Sequence, residues 1–453
     1  MAKTDSLTAG KINTSIIMFA LPIFIGNLFN LAYSVADIRI IGSFCGNDAL
    51  AAVGSISTLS DFFTSFIVGL SNGFGVVCSQ YFGKKDHEKV RRSFGAALFL
   101  GCIITAVLMI ASLAGLSGIM DILNVMGKHR SAARAYIIII ISGLLFALIY
   151  NVLAAILRAT GDAFTPLVFL IISAFLNIIL DIIFVGAMKF GVQGAAVGTV
   201  VSQLISVILC FIYLRKTHPE LHISNSDIVP DRKLSGRMLL SGLSMGLMNC
   251  LVAFGTLMLQ TAINTLGTNV IVAHAATRKL TNIYMLPFSS LGTSMATFTG
   301  QNYGAGRYDR IRAGLKFTLL ISYIWCIIVL IISYTICPIL IRAITDTDIQ
   351  EVIDTGCLYQ RVDTIFYALV PTISILRNSL QGLDDHAAPI ISSTLELAGK
   401  AAVAIMLTPI LKYWAIIWAE PIIWFIMVIP LIRSMFKKLN TGTVIKQDME
   451  IKK

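Results

Sequence analysis

Long runs of apolar residues, separated by short polar segments, recur about a dozen times along this chain. A bilayer core of roughly 30 Å needs about 20 apolar residues per helix, and each run approaches or exceeds that length. The runs are continuous and do not alternate at every second residue, so they disfavour the strands of a membrane β-barrel. We therefore predict an all-α polytopic membrane protein with twelve transmembrane helices. The predicted spans are 15–42, 49–75, 93–114, 136–157, 166–187, 194–214, 238–263, 270–297, 314–340, 361–380, 389–410 and 414–433.

The chain contains an internal repeat of about 221 residues. After the second span comes SQYFGKKDHEKVR at 79–91, and after the eighth comes GQNYGAGRYDRIR at 300–312. Two further pairs of short motifs agree, at offsets of 221 and 223: 46–48 with 267–269, and 162–166 with 385–389. A repeat of this length indicates that the chain is built from two copies of one structural unit.

The repeat divides the chain into two pseudo-symmetric six-helix lobes. We predict an N-terminal lobe at 1–214, a cytosolic linker at 215–237, a C-terminal lobe at 238–433 and a cytosolic tail at 434–453. Because each lobe has an even number of spans, both lobes start on the same side and the repeat is parallel. Two such lobes can enclose a cleft that opens to either side, which is the architecture of alternating access.

Composition and charge support a membrane protein and exclude a nucleic-acid-binding one. Charged residues make up only 13% of the chain, against about 25% in soluble domains. The net charge of +11 is concentrated in segments on one predicted side, including both termini and the linker. Cationic loops stay in the cytoplasm, so we expect a multi-pass protein of the plasma (inner) membrane with both termini cytoplasmic. Seven cations fall on the other side: Lys128, Arg130, Arg134, Lys189, Arg342, Arg361 and Lys412.

Two predicted helices of the N-terminal lobe carry polar stripes that end in a carboxylate. Asp37 in the first span shares a face with Tyr33 and Asn30, while Asn177 and Asp181 lie four residues apart in the fifth. An ionisable residue inside a membrane helix costs a few kcal/mol, so it is a functional-site hypothesis by default. If the stripes converge, two carboxylates share a dry pocket, where they must share a proton or bind a small cation. Either would make a coupling site, although both residues could instead face external water near the helix ends.

Other polar residues within the spans fit either a substrate cavity or simple packing. Asn151 lies among apolar neighbours in the fourth span, and Thr199 precedes Gln203 by four residues in the sixth. Glu396 and Lys400 have the spacing of an intrahelical ion pair, and Glu420 has no partner nearby in sequence. The residues that we assign to a substrate cavity are Asn30, Gln203, Thr256, Gln260, Lys279, Glu396, Lys400 and Glu420.

Four motifs in this order resemble the multidrug and toxic compound extrusion (MATE) family, over essentially the whole chain. They are YSVAD at 33–37 followed by Ile41-Gly42, LRATGD at 157–162, NIILD at 177–181, and the run at 300–312. The resemblance implies a secondary active antiporter that exports cationic or amphipathic organic compounds, driven by H⁺ or Na⁺. It implies a cation-coupling site of Tyr33, Asp37, Asn151, Asn177, Asp181 and Thr199. A coupling Na⁺ would lie at Asp37, Asn177, Asp181 and Thr199.

The sequence departs from the family pattern in the C-terminal lobe and leaves alternatives open. The seventh span has no acidic residue, so a second cation site there is in doubt. A lipid-linked saccharide flippase of the same superfamily would also suit the cations Arg39, Arg278, Lys279 and Lys400. A major-facilitator-type transporter is a further alternative. We expect neither an enzyme nor a bound cofactor, because no catalytic or metal-binding motif is present and the eight cysteines are scattered singly. We expect a monomer whose partners are small molecules and the bilayer.

Overall fold

The computed structural model is helical throughout the part of the chain that it describes. Its backbone covers residues 7–122, 125, 127, 129–218, 221, 222, 227 and 232–451, and its side chains cover all of these except 47 and 442–451. Part of the predicted linker at 215–237 therefore lies outside the described residues. The helices are α1 Ile12–Gly46, α2 Asp48–Gly83, α3 His87–Ile122, α4 His129–Ala159, α5 Phe164–Ala187, α6 Gly191–Thr217, α7 Arg232–Ile263, α8 Thr268–Gly304, α9 Tyr308–Thr335, α10 Cys337–Thr345, α11 Gln350–Ile365, α12 Leu369–Gly382, α13 Ala387–Leu411 and α14 Tyr413–Ile451.

Ten of the described helices are long and apolar enough to cross a membrane. The predicted spans at 270–297 and 361–380 correspond to α8 and to the pair α11–α12, which are not among those ten. Helix α8 carries two adjacent cations, Arg278 and Lys279, and α11 and α12 have only 16 and 14 residues. With these two elements the architecture agrees with the predicted all-α fold of twelve spans.

Two of the predicted spans are each divided between two helices in the structure. The span predicted at 314–340 ends at Thr335, and α10 begins at Cys337, because Pro338 occupies the first turn of a new helix. The span predicted at 361–380 begins eleven residues earlier, at Gln350, and is interrupted between Ile365 and Leu369. Polar residues in the first turns of α11 hid its beginning from a search for apolar runs.

The described helices form two compact units. One unit is Leu21–Gly246, and the other is Leu7–Ala20 together with the chain from Leu247 onward. The first helix of each half is therefore shared: α1 begins in the second unit and continues in the first, and α7 does the reverse.

The repeated motif after α8 binds the N-terminal segment within the second unit. Arg310 donates hydrogen bonds to the carbonyl oxygens of Leu7, Ala9 and Gly10 at 3.1, 2.8 and 2.9 Å. Gln301 accepts a hydrogen bond from the backbone N–H of Leu7 at 2.9 Å. Charge-assisted hydrogen bonds of this kind are stronger than neutral ones. The polar residues that follow the eighth predicted span thus have a structural role, which is to bind the N-terminal segment.

The equivalent motif after α2 binds the start of α7 within the first unit. Gln80, which matches Gln301 in the repeat, accepts a hydrogen bond from Arg237 at 2.6 Å. Arg237 also donates to the hydroxyl of Tyr81 at 2.8 Å. One turn further along, α2 and α7 approach closely: the Ser241 hydroxyl donates to the carbonyl oxygen of Gly73 at 2.8 Å. The sequence repeat thus corresponds to a repeated role in packing.

Candidate functional site

Two helices of the first unit, α1 and α5, bring the predicted carboxylates together. Helix α1 carries Tyr33 and Asp37, and α5 carries Asn177 and Asp181 one turn apart. Helix α5 changes from α to a wider π-helical geometry directly after Asp181, at Ile182–Ala187. Such π-helical turns are frequent at functional sites. Here the π-helical turn begins at the residue after Asp181, which carries the second carboxylate.

The carboxyl groups of Asp37 and Asp181 lie within hydrogen-bonding distance of each other. Asp181 is fully buried. Within the described part of the chain, Asp37 Oδ1 and both carboxyl oxygens of Asp181 have no hydrogen-bond donor. Two ionised carboxylates in this position would repel each other in a poorly solvated site. The pair therefore needs a shared proton or a bound cation.

The amide of Asn177 and the hydroxyl of Thr199 extend the same site. Asn177 Nδ2 donates to Thr199 Oγ1 at 3.3 Å, and Thr199 Oγ1 donates to the carbonyl oxygen of Ala195 at 3.1 Å. The buried Asn177 Oδ1 has no donor among the described residues. Carboxyl, amide and hydroxyl oxygens together are ligands that suit a hard cation.

Helix α6 reaches this site because residue 198 has no side chain. A Cβ atom on Gly198 would lie 2.3 Å from Asp181 Oδ1 and 3.5 Å from the backbone nitrogen of Asp181. The separation of 2.3 Å from the carboxylate oxygen is far below van der Waals contact, so only glycine fits here without displacing the carboxylate. Gly198 therefore permits the contact between α5 and α6 that brings Thr199 to the site.

Tyrosines complete the surroundings of the carboxyl pair. Tyr33 interacts electrostatically with both Asp37 and Asp181, and so does Tyr136 of α4. Sequence reasoning missed Tyr136, because the fourth span was predicted to begin at that residue. A tyrosine at a span end has no helical stripe to indicate its role.

Three other residues predicted for this lobe make no hydrogen bond to the carboxyl pair within the described part of the chain. The amide nitrogen of Asn151 donates to the carbonyl oxygen of Ala147 at 2.8 Å. Within the described part of the chain it makes no hydrogen bond to either carboxylate. Asn30 is exposed and Gln203 is half-buried. The hydrogen bonds thus connect Asn177 with Thr199 but leave Asn151 outside the pair.

A chain of buried ion pairs runs through the second unit. Glu396 and Lys400 form the ion pair that their spacing indicates, with Oε1 and Nζ at 2.9 Å. Arg377 Nη2 lies 3.1 Å from Glu396 Oε2, and Lys400 Nζ also lies 3.2 Å from Glu420 Oε1. Glu420, which had no partner nearby in sequence, thus pairs across helices. Removing one partner of such buried pairs leaves an uncompensated charge.

The remaining predicted cavity residues of the second unit are more accessible. Thr256 Oγ1 accepts a weak hydrogen bond from Lys400 at 3.4 Å. Gln260 donates to Asn264 Oδ1 at 2.9 Å. Lys279 is exposed and makes no ion pair or hydrogen bond within the described residues.

Sequence reasoning also missed Asp363. This residue is buried, its Oδ1 has no donor among the described residues, and neither polar atom of the neighbouring Gln360 side chain has a partner there. The tenth span was predicted to start at 361, so Asp363 fell in the first turn of that predicted span, where a carboxylate is not unusual. In the structure Asp363 lies in the last turn of α11, which runs from Gln350 to Ile365 and is followed by the interruption before Leu369.

Comparisons with known proteins place the chain among transporters. The MatE family model matches residues 22–183 and 245–406, two segments that start 223 residues apart. The chain is 28% identical over 315 residues to the probable multidrug resistance protein YpnP of Bacillus subtilis, covering 68% of this chain and 69% of that protein. It is 24% identical over 402 residues to the probable multidrug resistance protein NorM of Thermotoga maritima, covering 85% and 83%.

Solved structures share the fold. An outward-facing multidrug resistance MATE family transporter of the MOP superfamily aligns with a TM-score of 0.88 and 20% identity, covering 98% of this chain and 99% of that one. A MOP superfamily transporter from Pyrococcus furiosus aligns with a TM-score of 0.86 and 21% identity, covering 97% and 99%. At this level of identity the likeness concerns the fold alone.

Proposed function

The chain belongs to the MATE family of transporters, and on that premise we propose that it is a secondary active antiporter. It would export organic compounds, cationic or amphipathic, in exchange for H⁺ or Na⁺ by alternating access. MATE transporters are multidrug efflux proteins, not enzymes, and they need no cofactor. The family assignment favours this function over the major-facilitator and saccharide-flippase alternatives.

The pairing of the half-buried Asp37 with the fully buried Asp181 is the observation that carries this proposal. It joins two acidic groups that cannot both remain ionised without compensation, and it lies in a membrane-spanning helix bundle. Binding and release of one cation at this pair would supply the coupling that an antiporter needs. Asn177 and Thr199 would add neutral oxygen ligands, and Tyr33 would border the site, whereas Asn151 would act from α4.

Flux measurements under separate ion gradients test the proposal. The full-length protein in sealed proteoliposomes is expected to move a fluorescent amphipathic dye when either a proton gradient or a sodium gradient is imposed. An inward gradient of the coupling ion should drive dye outward, and collapsing that gradient with an ionophore should stop it. Vesicles without protein provide the control. Dye movement that ignores both gradients would contradict coupled antiport.

We place the protein in the plasma (inner) membrane, with both termini on the cytoplasmic side. Cysteine substitutions at two exposed lysines test it in a cysteine-free background. Lys189→Cys, between α5 and α6, should react with an impermeant maleimide added to intact cells. Lys216→Cys, near the end of α6, should react only after the cells are permeabilised. The two lysines are matched in type and exposure, so the reverse labelling pattern would mean that the topology is inverted.

A further inference from the structure

One face of α8 is polar although the helix corresponds to the predicted membrane span at 270–297. Lys279, Asn282 and Ser289 are all exposed, and their spacing of three and seven residues places them on one helical face. A helix face in contact with lipid is apolar, whereas polar residues in a membrane face a water-filled cavity or other protein. The exposed face of α8 in the second unit is therefore suited to water or to another polar surface and not to lipid.

Arg278 borders this face with most of its hydrogen-bonding capacity unused. Its side chain is 30% exposed, and its nearest carboxylate atom is Glu420 Oε1 at 4.0 Å. The same oxygen lies only 3.2 Å from Lys400 Nζ. Within the described part of the chain, Arg278 donates no hydrogen bond. A guanidinium has five N–H donors in a planar fork that matches a carboxylate.

The charges around Arg278 leave an excess of cations. The acids of this part of the second unit are buried, with Glu396 and Glu420 at 5% and Asp363 at 1% exposure. Even if all three are ionised, four cations face three anions: Arg278, Lys279, Arg377 and Lys400 against Glu396, Glu420 and Asp363. The two most exposed members, Arg278 and Lys279, are both positive. A solute that approaches this face therefore meets positive charge.

We propose that Arg278, assisted by Lys279, binds an acidic group on the transported compound. The substrate class would be amphipathic organic molecules that carry a carboxylate or sulfonate, including zwitterions. The guanidinium fork would hold the anion in a bidentate contact. Ile283, one turn along α8 from Lys279 and 45% exposed, would offer apolar surface to the body of the molecule. This inference rests on the proposed function and names the kind of compound exported.

A matched pair of dyes tests it directly: a rhodamine with a free carboxylate and the methyl ester of the same rhodamine. Binding of each dye to the purified full-length protein in detergent is measured by fluorescence polarisation. Wild type is expected to bind the free acid about tenfold more tightly, since hydrogen bonds to charged groups contribute about that factor. Arg278→Gln should remove this preference, because it should weaken binding of the free acid and leave binding of the ester unchanged. Arg278→Lys should retain part of the preference, and Lys279→Gln should reduce it.

The control is Lys316→Gln, which removes one positive charge from an exposed position on α9 of the same unit. It should keep the wild-type ratio between the two dyes. Thermal unfolding of every variant checks the fold, and Lys279→Gln provides the test if Arg278→Gln does not fold. Equal affinity for acid and ester in wild type, an unchanged ratio in the variants, or no binding of either dye would overturn the inference. Gradient-driven transport of both dyes at equal rates would overturn it while leaving antiport intact, whereas a normal binding preference without gradient-driven transport would refute antiport alone.

Discussion

Asp37→Asn is expected to reduce gradient-driven dye export to the rate of protein-free vesicles. The substitution preserves shape but removes the ability of this side chain to gain and lose charge. With one neutral amide in place of a carboxylate, the site with Asp181 has no second negative charge for a cation to compensate. Asparagine at a membrane position also lowers the cost of burial, so expression and thermal stability should remain near wild type. The measurement is export from proteoliposomes under the gradient that drives the wild-type protein.

The two carboxylates should behave as a single functional group. Asp181→Asn is expected to cost about as much as Asp37→Asn, and the double variant should cost little more, because half of the pair cannot hold the cation. A double-mutant cycle on the cation dependence of dye binding quantifies this non-additivity even when export is lost. Asp348→Asn is the matched control, since it removes an exposed carboxylate, 94% accessible, from a loop. Independent, additive partial losses would separate the two residues and contradict a shared site.

The predicted stripes could be derived from sequence because they depend on helical geometry alone. Asn177 and Asp181 are four residues apart on an uninterrupted apolar helix, so their common face follows from 3.6 residues per turn. Asp37 and Asp181 lie on different helices and are 144 residues apart in the chain. Helical periodicity gives no information about which helices pack together. For this reason the sequence could propose a coupled pair only on the condition that the stripes converge.

The ion pairs of the second unit show the same limit. Glu396–Lys400 could be predicted from its spacing, and it is present at 2.9 Å. The contacts of Arg377 with Glu396 and of Lys400 with Glu420 depend on tertiary packing, and no local pattern indicates them. Asp363 was missed for a different reason: its helix starts with polar residues, so hydropathy placed the start of the span beside it. A helix segment that is polar because it is buried inside protein has low hydropathy, so a search for apolar runs does not detect it.

Gly198→Ala is expected to impair coupling without changing a single polar atom. The added methyl group would lie 2.3 Å from Asp181 Oδ1, so either the carboxylate rotates away from Asp37 or α6 moves away from α5. Overpacking of this kind costs about 1–3 kcal/mol, which should lower the thermal unfolding temperature. Displacement of Asp181 should also raise the proton or sodium concentration that gives half-maximal transport, by about tenfold for each 1.4 kcal/mol of lost cation binding.

The matched control for this substitution is Gly54→Ala on α2 of the same unit. No atom of the described residues would lie within 4 Å of a Cβ atom at position 54, so this variant should transport as wild type. Alanine should even stabilise α2 slightly, because glycine inside a helix costs about 1 kcal/mol relative to alanine. The cation concentration that gives half-maximal transport is measured for both alanine variants, and the ratio of the two values is the informative quantity. If Gly198→Ala keeps the wild-type cation dependence while Gly54→Ala does the same, the close approach of α6 to Asp181 does not shape the coupling site.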